Sequence, residues 1–552
     1  MAGKNPSKRE KRQQKSRAVQ ARNSWRIRIS TWLGGKEQRR LMLKPAARWS
    51  VLIVGLLLIG VWQNSFARSH EKLDRNYALR ASSGIHQQTR LLYFLYFKGL
   101  FPVATEVPDE DLEKSLAGAD SEIAENGDKL LTEVGHSTRY GELGKTYLYL
   151  PSIWRNGWDE EPNMRVASGT AFAVALMGLF LAFWLIRRPV LGTFLVIFIG
   201  SNPFQLFEIY GRQHVPTFWF PDGHDNIFCW VIITATAVLA LNLPLFSSGQ
   251  RKLYRWCAPV LTGILVATIG TLRSEPVALV GTAAFCYLFV AHKRSWPVRI
   301  GMLVVLLAAF SLTSRSWGSF FKGKIKAAEQ VVEEAGGHVY PGPRDINHLF
   351  WHPIWVGLAD FDLGTDWKDH KSSDFALPIL KEQYDIEIPK IVVQKGTTFE
   401  RAYKPWDEAG KFYRQAHELD HFGDVLRDDL IERIKKDPLW YPGILFRRSK
   451  RVLSESTPIR LAWGTSGITI PFSGWLVLPF LGLLVWCRSW VPLATILVLA
   501  GTSATAVAVF SGGNTAFYST FHIAAMAAIC SCAVEAILKY LRTTKQEQAA
   551  RG

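Results

Sequence analysis

Residues 165–206 read RVASGTAFAVALMGLFLAFWLIRRPVLGTFLVIFIGSNPFQL. Two apolar runs are separated only by Arg187-Arg188-Pro189. The first is long enough to cross a bilayer core, which takes about 20 apolar residues in a helix. The second is interrupted by Asn202-Pro203. In lipid every freed backbone N–H and C=O needs a partner, so a broken span belongs where protein or a water-filled cavity covers it. The arginine pair marks the intervening turn as cytoplasmic, because short cytoplasmic loops collect Lys and Arg.

The same pattern extends over the whole 552-residue chain. Spans are expected near 50–67, 165–186, 189–206, 226–246, 256–272, 276–292, 297–313, 466–486, 489–510 and 515–540. Basic residues fall on alternate turns: Arg187-Arg188, Arg251-Lys252 with Arg255, Lys293-Arg294 with Arg299, Arg488, and Lys539 with Arg542 and Lys545. The opposite turns are acidic, mixed or uncharged, as in Ser511-Gly512-Gly513-Asn514. This predicts a mainly α, polytopic membrane protein with about 10 transmembrane helices and both termini cytoplasmic. The domain plan is a tail at 1–48, a first helix at 49–67, a first extracytoplasmic loop at 68–164, helices two to seven at 165–313, an α-rich extracytoplasmic domain at 314–465, helices eight to ten at 466–540 and a short tail at 541–552. The expected location is a bacterial inner membrane.

The formal charge of +18 is concentrated at the N-terminus. Residues 1–48 hold 15 Lys or Arg against Glu10 and Glu37, a net +13, with little to pack into a core. Such a segment reads as a disordered cytoplasmic tail that fixes topology. It also suits anionic lipid, each basic residue near the surface contributing about 1 kcal/mol. Nucleic acid is not an expected partner. The six cysteines, Cys229, Cys257, Cys286, Cys487, Cys530 and Cys532, all lie in or beside spans, which excludes a disulfide framework and a cysteine-based zinc site.

Chemistry therefore falls to the two outer segments and the outer turns. Glu71 and Asp74 lie one turn apart just beyond the first span, on one helical face. Either suits a general base, or a solvated helix paired with Lys72 and Arg75. Glu142 is a second candidate base. The stretch Leu91–Pro102 is too short to span and suits an interface helix or a buried helix of the outer segment. Pro221-Asp222-Gly223-His224-Asp225 places two carboxylates and an imidazole where a divalent cation, magnesium or manganese, would be held. The same residues equally suit a turn and a helix cap. Arg212, Arg273 with Glu275, and Arg315 are candidates to grip a lipid phosphate, because a guanidinium fork holds two oxygens. His417-Glu418-Leu419-Asp420-His421 is a literal H-E-x-x-H on an expected helix from Trp406 to about Ile434. Its charged surroundings also suit a solvated helix face. His522, inside the last span, reads as a core histidine or a cavity-lining group.

With these loops and acids in place, the order of segments resembles the GT-C superfamily of integral-membrane glycosyltransferases. A large outer loop follows span one and a second outer domain follows span seven. The resemblance implies an enzyme that moves a sugar from a polyprenyl-phosphate carrier to a glycan, lipid or protein acceptor on the extracytoplasmic face. It implies Asp74 or Glu71 as catalytic base and Asp222, His224 or Asp225 as ligands of a divalent cation. Competing readings are an outer-face oligosaccharide ligase or polymerase relying on Arg273 and His352, a transporter, and a non-enzymatic membrane scaffold.

Overall fold

The structure is a computed structural model. It describes residues 45–68, 160–210, 229–246, 253–272, 275–291, 294–334, 348–358, 369–385, 391–392, 402–403, 421–454, 456–464, 466–508 and 520–551, together with Gly144, Tyr147 and Pro151. The described residues are mainly helical. Five helices are long and apolar enough to cross a membrane, within Trp49–Phe66, Val166–Leu185, Cys229–Phe246, Trp296–Ala327 and Thr520–Leu538. Five further apolar helices are shorter, at Pro189–Gly200, Tyr254–Gly270, Ala278–Val290, Gly474–Trp486 and Trp490–Ala504.

The helices in chain order begin with α1 (Pro45–Arg68), α2 (Glu160–Leu185), α3 (Pro189–Gly200) and α4 (Pro203–Tyr210). They continue with α5 (Cys229–Asn242), α6 (Tyr254–Gly270), α7 (Ala278–Phe285) and α8 (Trp296–Glu334). The apolar run read as a third span is thus two helices parted at Ser201-Asn202. Pro203 cannot supply an N–H to a continuing helix. Asn202 starts α4 instead, its Oδ1 accepting the Phe204 N–H at 3.0 Å.

Helix α5 is central: 78% of its apolar window is buried, against 11% for α8. It packs on α2, α6 and α14 (Trp490–Ala508). Several polar side chains within these helices are satisfied by hydrogen bonds. Thr234 and Thr236 donate to the carbonyls of Trp230 and Ile232 one turn back, at 2.6 and 2.7 Å. Asn242 donates to Val238 and to the Thr262 hydroxyl (2.7 and 2.8 Å) and accepts from the Tyr287 hydroxyl. That network ties α5, α6 and the π turn Cys286–Val290 together. Arg299 donates to the carbonyl of Leu288 within the π turn (2.7 Å) and to that of Arg294 beyond it (2.9 Å). Arg187 and Arg488 end their helices in the left-handed region, at φ 63° and 55°.

Helix α8 runs unbroken through the expected boundary at 313/314. Its 39 residues make it about 58 Å long at 1.5 Å per residue. Beyond it, α9 (His348–Gly357), α10 (Asp369–Tyr384) and α11 (Phe422–Lys436) form a small lobe. Its core joins Trp355, Ala376, Leu377, Leu380, Phe422, Val425 and Leu426. The Trp355 indole N–H donates to Asp429 Oδ2 at 2.9 Å, and Arg433 pairs the same carboxylate at 3.0 Å. A two-residue antiparallel ladder pairs β1 (Ile391–Val392) with β2 (Ala402–Tyr403).

Helix α12 (Trp440–Ser454) joins lobe to membrane domain. Asp437 caps it through the Leu439 N–H at 3.0 Å. Ile444, Arg448 and Val452 form one buried stripe at four-residue spacing. Ile444 packs in the lobe, Arg448 donates to the Val507 carbonyl near the end of α14 (3.1 Å), and Val452 packs in the membrane core.

One expected element is different. The span read at 466–486 opens with a strand, β4 (Ser466–Ser473), paired antiparallel with β3 (Ser456–Trp463). Only Val477–Trp486 of it is α-helix, α13. Ile468, Ile470 and Phe472 share one face at period two, opposite Leu461, Ile459 and Thr457. Gly464, at φ +55°, makes the tight turn. The hairpin lies across the ends of α1, α3 and α15 (Thr520–Arg551). At Gly474, just past it, a Cβ would lie 2.6 Å from the Leu453 carbonyl, and the His522 ring blocks the other side.

Candidate functional site

Two junctions at the helix ends merit attention. At the first, α6 stops at Gly270, and Thr271 Oγ1 donates back to the Thr268 carbonyl at 2.6 Å. The Gly144 N–H, from the first outer segment, donates to the Thr271 carbonyl at 3.1 Å. A Cβ at residue 144 would overlap Thr271 Oγ1, so the approach requires glycine. Three residues on, Tyr147 packs edge-on to Phe320 of α8 at 5.2 Å and lies 6.1 Å from Phe321. Trp317 stacks on Phe321 at 5.5 Å, and its indole N–H donates to Thr268 Oγ1 at 3.2 Å. Burial raises the Tyr147 phenol above its ordinary pKa. The result is an aromatic floor assembled from three distant stretches of chain.

Several sequence candidates lie close to these residues along the chain. Arg273 lies two residues beyond Thr271, Glu142 two before Gly144 and Arg315 two before Trp317. Arg315 is exposed, and its position is about 200° around α8 from Trp317, so it stands on the face away from the floor. Glu275 opens the 3₁₀ turn Glu275–Val277, which packs against α5; its side chain is outside the described residues. Arg273, Asp74, Glu71, Glu142, Arg212, Asp222, His224 and Asp225 also lie outside them, as do Leu91–Pro102 and residues 1–44. Among the described residues no three His, Cys, Asp or Glu side chains gather as a metal site.

The second junction is the α3–α4 break. Gln63 of α1 donates its Nε2 to the Gly200 carbonyl at 3.3 Å. Ser201 Oγ accepts the Ala462 N–H at 3.2 Å, and the Ala462 carbonyl accepts the Trp62 indole N–H at 2.9 Å. The hairpin is therefore clamped at Ala462 by one side chain of α1 and one of the α3–α4 break. Gln205 of α4 donates to the Cys229 carbonyl, the first of α5, at 3.1 Å. Buried amides in a membrane domain are costly and mark functional places by default. Sequence reading found the Asn202-Pro203 break but passed over Gln63 and Gln205. Their signal was an amide within, or just at the end of, an apolar run.

Other candidates resolve as structure. His421 takes φ 62°, and α11 begins after it, at Phe422. Its ring stacks on Tyr384 at 4.5 Å, and Nδ1 meets Asp424 Oδ2 at 3.0 Å. His417 and Glu418 lie outside the described residues. His352 is buried edge-on to Phe422 in the lobe core. His522 is buried against Phe521 and Phe472.

No protein-family model matches the chain, no curated protein is significantly similar to it, and no solved structure matches it significantly.

Proposed function

We propose that the chain is an integral-membrane glycosyltransferase that moves a sugar from a polyprenyl-phosphate carrier to a glycan, lipid or protein acceptor. In this reading the five long and five shorter apolar helices together make about ten crossings. The layout is GT-C-like, with both termini cytoplasmic, in a bacterial inner membrane. The observation that carries the reading is the docking of Gly144 onto the end of α6 and of Tyr147 onto the middle of α8. It supports the union of the first outer segment, the Arg273–Glu275 turn and the start of the second outer segment at one lip of the membrane domain. Aromatic faces at such a lip suit sugar rings and the lipid interface alike.

The chemistry then runs as a displacement. Arg212 and Arg273 hold the carrier phosphate, and Glu275 orients its neighbouring arginine; Arg315, on the face of α8 away from the floor, takes no part. Asp74 or Glu71 takes the proton from the acceptor hydroxyl. The oxygen attacks the anomeric carbon, and the carbon–phosphate-oxygen bond breaks with its electron pair leaving on the polyprenyl phosphate. Asp222, His224 and Asp225 would hold a divalent cation, magnesium or manganese, near that phosphate; no step here depends on it. The ligase alternative rests in part on His352, and that side chain is enclosed in the lobe core.

Removing a general base costs roughly 10²–10⁴ in rate. Asp74→Asn or Glu71→Gln should therefore abolish transfer while the protein still inserts and folds. Normal activity in both would remove the base assignment. Cells lacking the protein should accumulate a lipid-linked sugar identifiable by mass spectrometry.

A further inference from the structure

We propose that the α3–α4 break is a neutral polar subsite that takes the hydroxyl groups of a sugar, an assignment that rests on the glycosyltransferase reading. Gln63, Asn202 and Gln205 are 2%, 1% and 0% exposed. Each amide spends one end on the backbone of the break or of α5 and leaves the other end without a hydrogen-bond partner. The unpartnered atoms are Gln63 Oε1, Asn202 Nδ2 and Gln205 Oε1. Trp230, one residue past the carbonyl that holds Gln205, is 2% exposed and leaves its Nε1–H unpartnered as well. Buried polar groups are nearly always paired, so each such atom calls for a partner.

The chemistry of the set narrows that partner. Two of the atoms are carbonyl oxygens that only accept, and two are N–H groups that only donate. A phosphate brings only acceptors, which the two glutamine oxygens would repel. A metal ion would want carboxylates, and these four groups are all neutral. A polyol fits, because each hydroxyl both donates and accepts. The surroundings are rigid: Trp62 is fixed by its bond to Ala462, and a Cβ on Gly200 would lie 2.7 Å from the Trp62 ring and 2.8 Å from Gln63 Nε2. The glycine therefore keeps the amide and the indole close to the backbone.

The test uses the full chain in nanodiscs with two kinds of probe: farnesyl phosphate alone, and farnesyl-phosphoryl mannose, glucose and arabinose. Asn202→Ser retains a side-chain oxygen to cap α4 through Phe204 but deletes the Nδ2 donor. Gln205→Met keeps the volume and deletes the Oε1 acceptor. Each variant should weaken binding of at least one glycosylated probe about tenfold and leave farnesyl phosphate unchanged. Equal weakening of both kinds of probe would show a merely structural role and overturn the subsite. Unchanged binding of every probe, the result for a site that holds only water, would overturn it too. If the wild-type chain binds a glycosylated probe and the variants bind it as well, the subsite falls alone. If the wild-type chain binds no probe, the glycosyltransferase reading falls and takes the subsite with it.

Discussion

Trp62→Phe should loosen the hairpin from the membrane domain without unfolding its ladder. The indole N–H meets the Ala462 carbonyl at 2.9 Å in a buried place, and residues 62 and 462 are 400 positions apart. Phenylalanine keeps an aromatic ring against Gly200 but has no donor. A buried carbonyl that loses its partner costs about 1–3 kcal/mol. At 1.4 kcal/mol per tenfold, the local opening constant should rise roughly 5- to 150-fold. Ala462 offers a direct reporter, because its N–H is protected by Ser201 Oγ, which lies outside the hairpin ladder. Hydrogen–deuterium exchange of peptides covering 456–473, read in nanodiscs, should show one amide exchanging faster by that factor while the others keep wild-type rates. Ser201→Ala should release the same amide directly. An Ala462 amide that exchanges at the wild-type rate in Trp62→Phe would refute the clamp.

Asn242→Leu removes the group that holds Thr262 and Tyr287, and should cost about 1–3 kcal/mol for each hydroxyl left unpaired. Thiol-dye unfolding reads this directly, since Cys229, Cys286, Cys487 and Cys532 are buried. Arg299→Met should uncap the Leu288 and Arg294 carbonyls and lower the melting temperature, with Arg299→Lys a partial rescue because an ammonium lacks the fork. Burial raises the Tyr147 pKa, so its contribution to stability is complete below pH 10 and fades as pH climbs past that value; Tyr147→Phe should erase this alkaline loss in melts between pH 8 and 11. Deleting residues 1–44 should impair insertion and leave the turnover of purified protein intact.

Much of the helical plan was legible because a bilayer-facing helix must be apolar along its whole length. The runs at 50–67, 165–186 and 226–246 therefore correspond to α1, α2 and α5 within a few residues. The hairpin was not, for the same reason. Ile468, Ile470, Phe472 and the run that follows raise the mean hydropathy as a helix would, and averaging hides their alternation. The continuation of α8 past the boundary expected at 313/314 was not legible, because the composition changes there without a helix-breaking residue. At His421 a four-residue spacing was read as one helical face. His421 is left-handed and stacks on Tyr384, and α11 begins at the next residue, inside the helix expected from Trp406. Contacts such as Gly144 with Thr271, or Trp62 with Ala462, have no local signature, because they depend on how separate helices pack.

Helix α8 also gives the membrane a mechanical arm. It is packed along α6 at one end and continues as a single rod to Glu334. Over about 58 Å, a tilt of about 10° carries the tip some 10 Å sideways. Spans tilt to match the thickness of the lipid around them. A thinner or thicker bilayer would thus be translated into a change of posture well outside it.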